Sequence, residues 1–102
     1  MTEEKIEELR SRRLDLLQEV MNAPLWTNGS VVETTRKQSG KIKPYRYLSR
    51  SIMGRNQTTY VSEKELGRFK TAAAEGARIR RLMTEISEIT VRILKAGGGN
   101  GQ

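Results

Sequence analysis

The sequence predicts an α+β fold in which an N-terminal helix, a three-stranded antiparallel β-meander and a long C-terminal helix follow one another. Apolar residues at helical spacing near both ends of the chain, and a central stretch rich in β-branched residues, predict this order. The 102 residues, 35% of them hydrophobic, suffice for one small domain with a thin core, so a multilayer enzyme fold is not expected. We assign residues 1–96 to this domain and residues 97–102 to a flexible tail.

The first helix is predicted for residues 3–21. Thr2 stands directly before it, where a hydroxyl can accept a hydrogen bond from a free backbone N–H of the first turn. Apolar side chains then recur at helical spacing from Ile6 to Val20. Pro24 lacks a backbone N–H and ends the pattern.

Three strands are predicted at about residues 30–37, 44–52 and 57–61. Pro44 is expected at the start of the second strand, where a missing N–H does least harm. Since both connections are short and contain glycine, the strands are expected to form an antiparallel meander.

The second helix is predicted for residues 63–95 and begins with a capping box, Ser62 followed by Glu65. Its apolar positions recur in steps of three and four, as in a coiled coil, so we expect it to pair antiparallel with the first helix. It is the longer of the two, and its apolar stripe exceeds what the first helix covers. A homodimer is therefore expected, with an interface at Leu82, Ile86, Ile89 and Ile93.

The composition excludes several chemistries. The chain has no Cys and no His, so disulfides, thiolate or imidazole metal sites and Ser–His catalysis are excluded. No catalytic constellation or phosphate-binding loop is present, and we expect a protein that is not an enzyme and needs no cofactor. No apolar run is long enough to span a membrane, and the polar N-terminus is unlike a signal peptide, which predicts a cytoplasmic protein without a membrane partner.

Positive charge is concentrated in the middle of the chain. The net charge is +7, and residues 27–62 alone hold seven basic groups against one acidic group. A local concentration of cations is what neutralises phosphates and releases their counterions. The seven cations are Arg36, Lys37, Lys41, Lys43, Arg46, Arg50 and Arg55.

Two tyrosines lie among these cations, and alternation along a strand decides what shares a face with them. Tyr45 and Tyr47 point to one side of the second strand, whereas Arg46, Leu48 and Arg50 point to the other. Either the tyrosines pack against the helices and the arginines face a partner, or Leu48 packs inward and the tyrosines face a partner. The shortage of large apolar groups favours the first arrangement.

Three short motifs resemble an uncharacterised family of small prokaryotic and phage proteins associated with mobile elements. They are Gly-Ser-Val-Val at residues 29–32, Pro-Tyr-Arg-Tyr-Leu at residues 44–48 and Tyr-Val at residues 60–61, followed by a long helix. The resemblance implies the same order of strands and helix and a mobile-element context. The family also carries a cysteine-rich loop, but residues 37–44 are cysteine-free here, so any metal site in that loop is absent.

Together these observations predict a small basic nucleic-acid-binding protein, with DNA favoured over RNA. The alternative is a protein–protein interaction module whose helical coil joins a larger nucleic-acid-processing complex, as a subunit or a phage-encoded inhibitor. The residues expected to contact nucleic acid are Arg36, Lys37, Lys41, Lys43, Tyr45, Arg46, Tyr47, Arg50 and Arg55.

Overall fold

A computed structural model of the chain describes residues 2–97 and shows the predicted α+β order. The predicted tail from residue 98 onward lies outside the described residues. The elements are α1 (Glu3–Met21), β1 (Ser30–Gln38), β2 (Lys41–Ile52), β3 (Arg55–Tyr60) and α2 (Leu66–Lys95).

The residues predicted to form one domain pack as two compact units. The helical pair consists of α1 and the part of α2 from Arg78 onward. The sheet unit, Pro24–Ala77, contains the three strands and the beginning of α2.

The two helices of the helical pair are antiparallel and share an aliphatic core. Arg12 contacts Glu85 at 3.0 Å, and Glu19, further along α1, contacts Arg78 at 3.6 Å, which fixes the antiparallel direction. Leu16 is fully buried at the centre of this core. The other side chains of the core are Leu9, Leu17, Val20, Leu82, Ile86, Ile89 and Ile93.

The expected dimer interface at Leu82, Ile86, Ile89 and Ile93 is corrected by this packing. The three isoleucines are buried against Leu16 within the same chain, and Leu82 is half-buried beside them. The extra length of α2 does not leave this stripe uncovered, because the first turns of α2 belong to the sheet unit and only its C-terminal part pairs with α1.

Both helix starts are capped as the sequence predicts. The Thr2 hydroxyl accepts a hydrogen bond from the Lys5 N–H at 3.2 Å. The Ser62 N–H donates to Glu65 Oε1 at 3.0 Å, and the Glu65 N–H donates to the Ser62 hydroxyl at 3.3 Å, which completes the capping box. The box occupies a turn at residues 63–65, so α2 begins at Leu66, three residues later than predicted.

This capping box makes the stability of the α2 start depend on pH. Hydrogen bonds from the Ser62 backbone and side chain lower the pKa of Glu65 below its ordinary value of 4.5. A carboxyl whose folded pKa is lowered stabilises the fold above its unfolded pKa, and that contribution is lost as the pH falls through the folded pKa. We therefore expect wild type to melt above Glu65→Gln near neutral pH, with the difference disappearing in acid.

Thermal melts of both proteins from about pH 7 to about pH 3 measure this difference. Gln at this position can still accept the Ser62 hydrogen bond, so the variant isolates the effect of the charge. Glu63→Gln, in the same turn, serves as the control and should match wild type throughout. A difference between wild type and Glu65→Gln that does not change with pH would contradict the assignment.

The sheet has the order β1–β2–β3 with two-residue turns between neighbouring strands. Ser39-Gly40 and Met53-Gly54 have positive φ at both residues, as tight hairpin turns that match the strand twist require. These turns fix the register, in which Leu48 lies opposite Val31 on β1 and opposite Thr59 on β3.

The β1–β2 hairpin extends beyond the third strand. β3 pairs only with residues 47–52 of β2, so residues 33–38 and 41–46 form a two-stranded segment, the outer ribbon. β2 begins three residues earlier than predicted, and Pro44 lies within it rather than at its start. Pro44 is tolerated because β2 is an edge strand at this point, where β3 does not reach.

Candidate nucleic-acid interface

The sheet has one covered face and one uncovered face, and Leu48 marks the covered one. Leu48 is buried with 3% of its surface exposed. Glu33 shares its side of the sheet, since it lies opposite Arg46, and it contacts Lys70 of α2 at 2.8 Å. We call this side the leucine face.

The expectation that the tyrosines pack inward is therefore wrong. Leu48 and the fully buried Val61 supply the apolar contacts that tyrosine rings were expected to supply. Close to the start of the sheet, α2 also packs tightly against the chain before β1, where a Cβ built on Gly76 would clash with the Thr27 carbonyl oxygen.

The opposite side, the tyrosine face, carries three aromatic rings in contact. The Tyr45 ring centroid lies 5.5 Å from that of Tyr47 and 6.0 Å from that of Tyr60. Tyr60 is the most exposed of the three, at 61%. Sequence reasoning missed Tyr60, because it joins the others only through the strand register that sets it opposite Tyr47.

Cations of the outer ribbon lie beside these rings on the same face. The Arg36 guanidinium stands over the Tyr45 ring, 5.1 Å from its centroid. Arg36 lies directly opposite Lys43 across the strand pair, and Lys41 follows at the next same-face position of β2. Like charges placed directly opposite each other destabilise a strand pair, and a bound polyanion relieves that repulsion.

The structure divides the predicted contact residues between the two faces. Alternation and register place Arg36, Lys41, Lys43, Tyr45 and Tyr47 on the tyrosine face, together with Tyr60. They place Lys37, Arg46, Arg50 and Arg55 on the leucine face.

The four cations of the leucine face differ in accessibility. Arg46 and Arg50 are half-buried, and Arg50 Nε is buried with no hydrogen-bond partner among the described residues. Lys37 and Arg55 are exposed. Lys37 lies on the outer ribbon, whose residues 34–44 are exposed on both faces, so it remains available beside the tyrosine-face cations.

The positive charge of the outer ribbon has little local compensation. The sequence has no Asp or Glu anywhere in residues 34–62. Glu33, at the base of the ribbon, is paired with Lys70. The four exposed cations at positions 36, 37, 41 and 43 therefore act together on an approaching anion.

Residues 2–97 show neither a metal site nor a membrane-spanning helix. No group of carboxylates there could hold a metal ion, and no helix there is long and apolar enough to cross a bilayer. No protein-family model, curated protein or solved structure matches the chain. The resemblance to a mobile-element family therefore stays a prediction.

Proposed function

We propose that the protein is a non-enzymatic nucleic-acid-binding protein that holds duplex DNA with its outer ribbon and tyrosine face. The observation that carries this proposal is the convergence of three cations and three tyrosines on the uncovered face of the sheet. Cations bind phosphates, and tyrosine hydroxyls can donate hydrogen bonds to phosphate oxygens.

The dimensions of the outer ribbon favour DNA over RNA. Two strands about 4.8 Å apart, with their side chains, fit a major groove about 12 Å wide. The major groove of an RNA duplex is too narrow and deep for side chains to read. Six residue pairs, from Glu33 opposite Arg46 to Gln38 opposite Lys41, give the ribbon a length of about 17 Å, the rise of about five base pairs.

The tyrosines have a positioning role as well as a contact role. Tyr45 and Tyr47 are half-buried against each other, which leaves their rings little freedom to rotate. The stack of Arg36 on Tyr45 then holds one guanidinium in place beside the ribbon, which lowers the entropy lost when it binds a phosphate. Tyr60 is exposed enough to contact the ligand itself.

A salt titration of binding tests the proposal. If the four exposed cations of the ribbon each neutralise one phosphate, a plot of log affinity against log salt has a slope of about −3.6 on duplex DNA, and of about −2.8 on a single strand. Labelled duplex DNA, duplex RNA and single-stranded DNA of equal length, compared by fluorescence anisotropy, should show tightest binding to duplex DNA.

The same titration separates the proposal from its rivals. A slope near zero would mean that phosphate contacts do not drive binding, and would contradict it. Equal affinity for duplex RNA would contradict the insertion of the ribbon into a major groove. The tyrosine variant Tyr60→Ala should weaken binding without changing the slope, because it removes a neutral contact and no cation.

A further inference from the structure

Arg36 differs in kind from the other exposed cations of the outer ribbon. It is an arginine, whereas the cations at positions 37, 41 and 43 are lysines. A guanidinium is a planar fork of donors that can bond two acceptors at once, and an ammonium is a point charge on a flexible stem. Arg36 is exposed, and within residues 2–97 its guanidinium makes no hydrogen bond or ion pair. Its donors are therefore free for a ligand.

The Tyr45 ring determines where this fork lies. Arg36 belongs to β1 and Tyr45 to the neighbouring strand β2, and the guanidinium carbon stands 5.1 Å from the ring centroid. The ring remains over β2, because it also contacts Tyr60 of β3, on the other side of β2, at 6.0 Å between centroids. The stack therefore draws the guanidinium across the ribbon, from β1 toward the midline between the two strands.

The midline and the margins of a two-stranded ribbon meet different parts of a DNA groove. Base edges form the floor of the major groove, and the phosphates line its two sides. A ribbon that lies with its tyrosine face toward the floor presents its midline to the bases and its margins to the phosphates. Arg36, opposite Lys43, lies near the centre of the ribbon's length. Its guanidinium is therefore placed over base edges in the middle of the site.

We propose that Arg36 reads guanine in the major groove, so that the protein prefers duplex sites with a G·C base pair beneath the centre of the outer ribbon. Guanine presents two acceptors there, O6 and N7, and the arginine fork binds both. Adenine presents a donor beside its N7, and neither cytosine nor thymine presents two acceptors. This inference rests on the proposed DNA binding and names the sequence that the same site selects.

Tyr45 is the positioning residue for this contact. Its ring is half-buried and lies 5.5 Å from that of Tyr47, so it is a fixed support for the guanidinium. A guanidinium that is stacked before binding loses less entropy when it forms two directed hydrogen bonds. The three lysines have no such support and bind phosphates, which carry no sequence information. Arg36 thus supplies selectivity, and the lysines supply affinity.

Reading a base changes the salt dependence of binding. On DNA that contains only A·T pairs, Arg36 binds a phosphate, and four neutralised phosphates give a slope of about −3.6. On guanine three phosphate contacts remain, and the slope is about −2.7. The preference for guanine should therefore grow with salt, by about 3.5-fold for each fourfold rise in salt concentration.

Fluorescence anisotropy with two short duplexes of equal length tests this preference. One duplex contains only A·T pairs, and the other carries a single central G·C pair. The full-length protein should bind the second at least about fivefold more tightly at moderate salt, which is the lower end of what a bidentate base contact discriminates. Replacing the guanine by 7-deazaguanine, which lacks the N7 acceptor, should reduce the preference. Inosine keeps O6 and N7 and lacks only the minor-groove amino group, so it should preserve the preference.

Arg36→Lys tests the residue, because it keeps the charge and removes the fork. It should bind the A·T duplex as wild type does, lose the preference for guanine, and show a slope of about −3.6 on both duplexes. Lys37→Arg, a change between the same two residue types on the leucine face, is the matched control and should keep the preference. Tyr45→Phe retains the supporting ring and should also keep it, whereas Tyr45→Leu should reduce it without weakening binding to the A·T duplex.

The outcomes distinguish this inference from the proposed function. Equal affinity for the two duplexes, with a slope of about −3.6 on each, would overturn guanine reading and leave DNA binding in place. A preference that survives 7-deazaguanine or Arg36→Lys would likewise overturn it. Failure to bind either duplex would contradict both proposals.

Discussion

Replacing Arg36 and Lys43 together with glutamate is expected to weaken DNA binding by about 100-fold or more at moderate salt. The double variant removes two of the four exposed ribbon cations and places two carboxylates where phosphates would lie. The remaining slope of log affinity against log salt should fall to about half of the wild-type value. Anisotropy titrations with a labelled DNA duplex measure both quantities.

The matched control is Arg55→Glu with Lys64→Glu. Both residues are exposed, Arg55 lies on the leucine face and Lys64 precedes α2, and the double change alters the net charge by the same amount. Its effect should stay within about threefold, because it acts only through the screened long-range field. Equal losses in the two double variants would show that net charge, and not the tyrosine face, determines binding.

Gly76→Ala is expected to destabilise the protein by about 2–4 kcal/mol. Alanine is ordinarily the better helix former by about 1 kcal/mol, so intrinsic propensity predicts the opposite sign. At this position a Cβ would stand 1.8 Å from the carbonyl oxygen of Thr27 and 2.7 Å from its carbon, and backbone atoms cannot yield as a flexible side chain can. Urea unfolding followed by circular dichroism gives the change in the free energy of unfolding.

Gly67→Ala is the control for that prediction. Gly67 belongs to the same helix, but nothing lies within 4 Å of a Cβ built there. This substitution should be neutral or stabilise the protein by up to about 1 kcal/mol. A stabilising Gly76→Ala would mean that α2 does not approach the chain before β1 as closely as the structure shows.

Local signals in the sequence were enough to predict the elements. The bounds of α1 agree with prediction because a capping threonine and a proline stand at its two ends. The Ser62–Glu65 box predicted the beginning of α2 within three residues. Each of these signals acts between residues a few positions apart, so no tertiary information is needed to interpret them.

The candidate site could be predicted only in part, because its assembly depends on contacts distant in sequence. Alternation shows that Tyr45 and Arg46 lie on opposite faces, but not which face α2 covers. The burial of Leu48 decides this, and it places Arg46 and Arg50 on the covered side. A charge reversal of those two arginines, the obvious test from sequence, would disturb packing as well as any binding.

Tyr60 and the apolar stripe of α2 are two further cases in which contacts distant in sequence decided what the sequence alone could not. Tyr60 joins the aromatic cluster because the β2–β3 register sets it opposite Tyr47. The two-residue turn fixes that register in the folded protein, whereas strand propensity along the sequence does not specify it. The apolar stripe of α2 was correctly identified as a contact surface. Its partner is α1 of the same chain, whereas other apolar side chains of the helical pair, such as Leu14 and Met83, are exposed.

Chemical-shift mapping by NMR tests most directly the claim that one face of the sheet holds the DNA. A short duplex titrated into ¹⁵N-labelled protein should shift the amides of the outer ribbon and of Tyr45, Tyr47 and Tyr60, and leave those of Gln57 and the helical pair in place. Shifts centred on the leucine face or on the helices, or no shifts at saturating DNA, would contradict the account.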